Sequence, residues 1–366
     1  MMVSFTPRWR LIFGALLLDA PRFIVCLLMP AGWRRMRNRK DSVRFAPDGR
    51  GVACEWEYTR TLHLCDVFPK LSVLLLSRAL QESPIQLLAA PEHVRDEAFC
   101  WNGAGLAAGD YPPQVSFLIG HRGLERLPLL LWTLQSIAAQ EQIRFECIVV
   151  EQSAEEQIRD ALPSWVRYQH QPVDAEMPYN RSATFNLAAT LARAPLLVFH
   201  DNDMVIPVCY GKELFERFEQ GYEVINLKRF IFYLDKTSTD VFPECILKKK
   251  CIIDSVVENL EGGGSMAIGA QAFNEIGGFD EKFVGWGGED VEFWDRCLIR
   301  KVWEYTNLPI LHLWHSSQPG KRAVRGLGAM TADLTEQRMA LPVDERIREL
   351  CGREKGVPCL TRDPTL

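Results

Sequence analysis

No C-x-x-C pair occurs among the 11 cysteines of this 366-residue chain, and their number is odd. Scattered cysteines with an odd total argue against a disulfide framework, and no zinc-type spacing is present. A reducing cytoplasm is therefore the expected compartment. A basic excess is also missing: 42 lysines and arginines stand against 47 aspartates and glutamates, a net charge of −5. Nucleic-acid surfaces carry the opposite balance, so no nucleic-acid partner is expected. Internal repeats and low-complexity tracts are absent, and 47% hydrophobic with 24% charged residues is an ordinary globular composition.

An uninterrupted membrane span is lacking too. "LIFGALLLDAPRFIVCLLMP" (11–30) has the right length, but Asp19, Pro21 and Arg22 break its middle. Each central charge costs about 2.5–3.5 kcal/mol on insertion. Leu18-Asp19-Ala20 is also a poor signal cleavage site. "RRMRNRK" (34–40) follows, with five basic residues in seven. The segment 8–40 fits a helix lying peripherally on the anionic inner face of the cytoplasmic membrane. The alternative is a helix packed on the protein's own core.

Four regions follow from composition: the apolar–basic segment 1–40, an unassigned region 41–112, a domain over 113–325 and a polar tail over 326–366. The second contains a helical pattern at 71–82 and ends in the Gly/Pro-rich "WNGAGLAAGDYPP" (101–113). From Val115 the rhythm changes. "VSFLI" (115–119), "FECIVVEQ" (145–152) and "PLLVF" (195–199) read as buried strands. "LERLPLLLWTLQSIAAQ" (124–140), "TFNLAATLARA" (184–194) and "VEFWDRCLIRK" (291–301) have helical spacing. Alternating strands and helices predict an α/β, Rossmann-like, mostly parallel sheet with helices on both faces. Ligands of such sheets sit beyond the carboxyl ends of the strands.

Asp201 and Asp203 lie at such an end, two residues apart after an apolar strand. Paired carboxylates can present oxygens to Mg²⁺ or Mn²⁺ together with substrate phosphates, although Asp-x-Asp is often only a solvated turn. His312 and His315 in "HLWHSS" can add imidazole nitrogen, both of them only if the chain bends between them. In "MPYNRSATFNLA" (177–188), Asn180 or Ser182 can cap the next helix, and Arg181 can hold a phosphate or orient a carboxylate. "GWGGED" (285–290) places Glu289 and Asp290 in a helix's first turn, where the macrodipole favours negative charge. That explains the carboxylates but not Trp286 among glycines. An indole flanked by Gly287 and Gly288 suits stacking on a sugar face, with a neighbouring carboxylate placed to take a proton from a hydroxyl.

In order and spacing, "YNR", "DND", "GGFDEKFVGWGGED" and "HLWH" resemble the GT-A-fold nucleotide-sugar glycosyltransferases. The likeness is to the β-1,4-galactosyltransferase family and, more broadly, to bacterial family 2 transferases, and it covers residues 114–320. The resemblance implies a metal-dependent, inverting transfer of galactose or an N-acetylhexosamine from a UDP-sugar to a glycan or lipid-linked acceptor. It implies Mn²⁺ (or Mg²⁺) held by Asp203, His315 and His312, with Asp201 supporting that site. Tyr179, Arg181, His121 and Arg122 would contact the nucleotide, and Trp286 with Gly287 and Gly288 would line the sugar pocket. Asp290 would be the general base, with Glu289 beside it contacting sugar, and "GWGG" would form one end of a closing loop. Two departures stand out: Leu260-Glu261 replaces an aromatic residue that bears on donor choice, and "GHRGLER" (120–126) replaces a proline-led basic run. A retaining transferase of the same fold, a catalytically silent UDP- or glycan-binding module, and a scaffold working through residues 1–112 remain alternatives.

Overall fold

Branched and aromatic runs separated by helix-spaced apolar residues build the fold in the order expected from the sequence. The computed structural model describes residues 112–242, 244–247, 251–260, 262–306, 308–316 and 327–353, together with position 80. The segment 8–40 lies outside these residues, as does the helix expected over 71–82 apart from position 80. Among the described residues no helix is long and apolar enough to cross a membrane.

The chain begins with β1 (Val115–His121), α1 (Leu127–Ala138), β2 (Phe145–Ser153), β3 (Arg167–Pro172), α2 (Arg181–Leu191), β4 (Leu196–His200) and β5 (Met204–Val205). Next come α3 (Tyr210–Glu219), β6 (Val224–Ile225), β7 (Phe230–Leu234), α4 (Lys236–Asp240), α5 (Glu244–Leu247), β8 (Ile253–Glu258) and β9 (Ser265–Gly269). The last elements are α6 (Ala270–Glu275), α7 (Glu289–Cys297), β10 (Val302–Trp303), β11 (Ile310–His312), α8 (Leu327–Met339) and α9 (Val343–Cys351).

Two compact units emerge. Among the described residues the smaller holds position 80, Lys228–Asn259 and Tyr305–Trp314, and the larger holds residues 112–227, Leu260–Glu304 and those from His315 onward. The larger unit is a mixed α/β structure around a seven-stranded sheet of order β10-β6-β9-β4-β1-β2-β3, flanked by helices and consistent with a GT-A, Rossmann-like fold. β1 runs parallel to both neighbours, pairing Val115 with Phe145 and with Leu196, whereas β9 is antiparallel to β4 and β6. In the smaller unit β7 pairs in parallel with β11 and antiparallel with β8.

All seven residues of β1 and all nine of β2 are buried, as central parallel strands covered on both faces must be. An aromatic cluster then ties strand to helices. Phe199 of β4 packs edge-on against Phe279 at 4.9 Å and lies 5.0 Å from Phe273 of α6, while Phe279 stacks on Phe293 of α7 at 4.0 Å. Such pairs contribute about 0.5–1.5 kcal/mol each beyond area burial. They flank two of the candidate carboxylates in sequence: Phe199 lies two residues before Asp201, and Phe293 three after Asp290.

The stretch read from composition as a polar tail holds two helices, α8 and α9, docked by charge. Arg346 of α9 is buried and meets Glu292 at 3.0 Å and also Asp295 on α7. Arg338 of α8 donates to Asp280 at 2.6 Å, and Arg353 reaches the same carboxylate at 2.8 Å.

Candidate active site

In the larger unit, the loops beyond β1 and β4 and the starts of α2 and α7 bring together residues scattered over nearly 200 positions. Asn180 caps α2, its side-chain oxygen accepting from the Ala183 amide at 2.9 Å. Its amide group also donates to the Glu281 carbonyl at 2.8 Å, and its own backbone N–H donates to Gln152 at 2.7 Å. Asn180, rather than Ser182, is the cap. One residue later Arg181 leaves the helix start and joins the two acidic motifs. It donates to Asp201 Oδ1 at 2.6 and 2.9 Å and to Glu289 at 3.3 Å, and its guanidinium lies 4.5 Å from the Phe185 ring. Arg181 thus bridges the two acidic motifs.

Burial governs the electrostatics of this cluster. Glu289 is pushed up to about 6, first by desolvation and then by Asp290, against the lowering pull of Arg181. Asp201 is raised for the same first reason, with Asp203 and Asp290 adding repulsion. Arg181 is held protonated by the carboxylates around it. Glu289 and Asp290 open α7, as the helical spacing implies, and Asp290 Oδ1 accepts from the Val291 amide at 2.9 Å.

Asp203 is buried, and two cationic or imidazole groups face its Oδ2. Arg126 stands at 2.8 Å and His315 Nε2 at 3.3 Å. His315 Nδ1 lies 2.7 Å from the Ser316 carbonyl, which can only accept, so Nδ1 carries a hydrogen there. Nε2 then faces a carboxylate oxygen. Two electron-rich atoms at that distance repel unless a proton or a metal ion lies between them. A metal-bound histidine typically donates its second ring N–H to a carbonyl in this manner. Carboxylate oxygen suits Mg²⁺ and Mn²⁺, and an added imidazole shifts preference toward transition metals. The residues present therefore fit a divalent ion. His312 ends β11 in the smaller unit, where its ring stacks on Tyr233 at 4.3 Å, and the chain leaves the strand directly after it.

The remaining predicted contacts are largely engaged with protein. His121 is buried at the end of β1; its Nδ1 accepts from Asn202 at 3.0 Å and its Nε2 donates to the Gly123 carbonyl at 3.0 Å. Burial lowers its pKa to about 4, so it is neutral at physiological pH and offers no charge to a phosphate. Arg122 donates to the carbonyls of Met177 and Ala175 at 2.5 and 3.0 Å, bracing the loop before α2. Tyr179 is pushed up to about 12 by burial, and its hydroxyl lies 3.2 Å from Thr184. That hydroxyl occupies the space a side chain at Gly120 would fill: a Cβ there would lie 2.2 Å from it. The Tyr179 carbonyl accepts from the Gly285 amide at 2.9 Å, joining "YNR" to the glycine-rich turn.

In that turn Gly285, Gly287 and Gly288 take φ of 100°, 96° and 90°, a region that side-chain-bearing residues rarely enter. Trp286 is 47% exposed. The structure adds Arg126, Asn202 and Thr331 to the residues picked out from the sequence. Arg126 closes the "GHRGLER" stretch and Asn202 separates the two aspartates, so both sit within motifs already quoted. Thr331 donates to the Trp286 carbonyl at 2.7 Å from 45 residues downstream, a contact that no local pattern signals.

No curated protein matches the chain. Residues 249–306, which include the glycine-rich turn and all of α7, match the family model described as the N-terminal domain of galactosyltransferase. With the mostly parallel sheet and the acidic cluster beyond its strand ends, this match supports a glycosyltransferase of galactosyltransferase-like type.

Proposed function

We propose that the chain is a metal-dependent, inverting glycosyltransferase that moves galactose or an N-acetylhexosamine from a UDP-sugar to a glycan or lipid-linked acceptor. The observation that carries this reading is the approach of His315 Nε2 to Asp203 in the unit where Arg181 joins Asp201 to Glu289. The match over 249–306 supports the same class of reaction. Asp203 and His315 would hold the divalent ion. When bound, the ion neutralises charge on the diphosphate leaving group and orients it.

The protein's own residues do the rest. Asp290 accepts the proton of the acceptor hydroxyl as that oxygen forms its bond to the anomeric carbon, and the bond from that carbon to the UDP oxygen breaks on the opposite face. Glu289, held by Arg181 at 3.3 Å, contacts a sugar hydroxyl beside it. Trp286 offers an exposed indole face for a pyranose ring to stack on.

The test is UDP release from a panel of UDP-sugars with Mn²⁺ and with chelator, since transferases slowly hydrolyse their own donors. Mn²⁺-dependent release from one sugar, lost in Asp203→Asn, supports the reading and names the donor. Asp290→Asn should abolish transfer while retaining UDP binding. UDP binding without turnover under any acceptor tried points to a silent module. Absence of UDP binding refutes the transferase reading.

A further inference from the structure

The glycine-rich turn is gripped by the C-terminal helices. Upstream, Asp280 receives Arg338 and Arg353 at 2.6 and 2.8 Å; downstream, Glu292 and Asp295 receive Arg346. Between these ion pairs α8 lies directly against the turn. Thr331 is buried, and its hydroxyl donates to the Trp286 carbonyl at 2.7 Å. Thr335 donates to the Thr331 carbonyl at 2.7 Å, and a Cβ on Gly288 would lie 2.0 Å from the Thr335 hydroxyl and 3.4 Å from that carbonyl. Gly288 therefore lacks a side chain at the place where α8 approaches. From the other side, the Tyr179 carbonyl holds the Gly285 amide at 2.9 Å. The backbone of residues 285–288 is pinned from two directions, while the Trp286 side chain projects outward.

We propose that Thr331 is a positioning residue: by holding the Trp286 carbonyl it sets the direction of the exposed indole relative to the carboxylates that open α7. The part concerning catalysis rests on the reading that Trp286 receives a sugar ring. The structural part does not. A peptide flanked by glycines at φ near 100° has many accessible rotations, and a hydroxyl fixing its carbonyl selects one of them. Small misplacements of groups that orient substrate cost large factors in rate, so the contact acts on turnover through Trp286 without touching substrate itself.

The experiment uses the full chain labelled with 5-fluorotryptophan and read by ¹⁹F NMR. Among the 10 tryptophans, Trp286→Phe identifies the relevant resonance by its loss. Thr331→Val keeps the shape and removes the hydroxyl; Thr331→Ala is the second variant should valine not fold. Both should shift or broaden the Trp286 resonance and lower UDP-sugar turnover about tenfold, with the Kd for Mn²⁺-UDP within twofold of the parent. Thr331→Ser should restore both resonance and turnover. An unmoved Trp286 resonance in a folded Thr331→Val or Thr331→Ala protein overturns the proposal, as does a serine variant that behaves like valine. Should the parent chain turn over no UDP-sugar, the function reading fails while the resonance still decides the role of Thr331.

Discussion

Replacing Arg181 with methionine tests the electrostatic organisation of the site directly. The change keeps an unbranched apolar stem against Phe185 and removes the guanidinium shared by Asp201 and Glu289. Breaking a buried ion pair by deleting one partner costs about 3–5 kcal/mol, because the other charge is left uncompensated. Here the carboxylate side chains are 30% and 12% exposed, and the Glu289 contact is the long one at 3.3 Å. Partial solvent screening at Asp201 places the expected loss at the lower end, about 3 kcal/mol at pH 8. The loss must also depend on pH. Glu289 already sits at about 6 in the intact protein, above its ordinary value of 4.5. A carboxyl raised on folding subtracts stability above its folded pKa and subtracts nothing below its unfolded one. Without Arg181 the Glu289 carboxyl rises further, and each added unit deepens the loss at high pH by about 1.4 kcal/mol. At pH 5 Glu289 is largely protonated in both proteins, so the variant's deficit shrinks there.

Urea unfolding followed by tryptophan fluorescence at pH 5 and pH 8 measures this for the parent, Arg181→Met, Glu289→Gln and the double variant. The expected result is a deficit at pH 8 that exceeds the deficit at pH 5, with the pH-dependent part reduced in the Glu289→Gln background, where only Asp201 still loses its partner. A deficit equal at both pH values, or a coupling between the two sites under about 0.5 kcal/mol, would refute the assignment of Arg181 as the partner of Glu289.

Glu289→Gln alone should raise stability at pH 8 by up to about 2 kcal/mol, because it removes a carboxylate whose ionisation the fold disfavours; its urea midpoint relative to the parent at pH 8 and pH 4.5 checks this, the gain vanishing at the lower pH. Phe293→Ala should cost about 3–5 kcal/mol, since a ring stacked at 4.0 Å on Phe279 and wholly buried is deleted from the core; calorimetric unfolding measures it, and a cost under 1 kcal/mol contradicts the packing described. Glu349 is held down to about 2 by its hydrogen bond from Arg338, so it contributes stability above its ordinary 4.5 that is lost as pH falls toward 2. The gap in urea midpoint between the parent and Glu349→Gln should be open at pH 6 and narrow from about pH 4.5 downward. A gap constant with pH shows that the ion pairs around Glu349 add nothing.

The elements carrying the site were legible where a single physical cause decides them. A run such as "FECIVVEQ" has nowhere to go except a buried strand, and β2 extends one residue beyond it. Asn180 follows from its hydrogen-bonding chemistry at a helix start, and the first-turn carboxylates of α7 from the apolar spacing that follows them. What was not legible depends on partners distant in the chain. β9 was not picked out from the sequence, and its antiparallel direction comes from its pairing between β4 and β6. α8 and α9 dock through arginine–carboxylate pairs, so their composition reads as polar and conceals a buried face. The glycines of "GWGGED" suggested close approach by substrate. At Gly288 the approaching group is Thr335, 47 residues downstream, and the positive φ values account for the others.

Charge balance links these observations to the proposed chemistry. Arg181 carries one positive charge and faces two carboxylates, Asp201 and Glu289, with Asp290 also near enough to raise Glu289. A diphosphate meeting that cluster finds no positive surplus. His121 is neutral through burial, and Arg122 is bound to two backbone carbonyls. The groups opposite Asp203 are different: Arg126 and His315 both face one oxygen of a single carboxylate. In the proposed reaction the positive potential for a doubly charged leaving group would therefore arise on the Asp203 side, from Arg126 and from a cation that Asp203 and His315 would hold. On that proposal the acidic cluster around Arg181 would face neutral sugar hydroxyls, for which paired carboxylates are suited. On this division of labour, Asp203→Asn impairs UDP binding, whereas Arg181→Met chiefly impairs folding and sugar placement. Measuring UDP affinity with Mn²⁺ in the two variants separates them, and an equal loss of affinity in both would collapse the distinction.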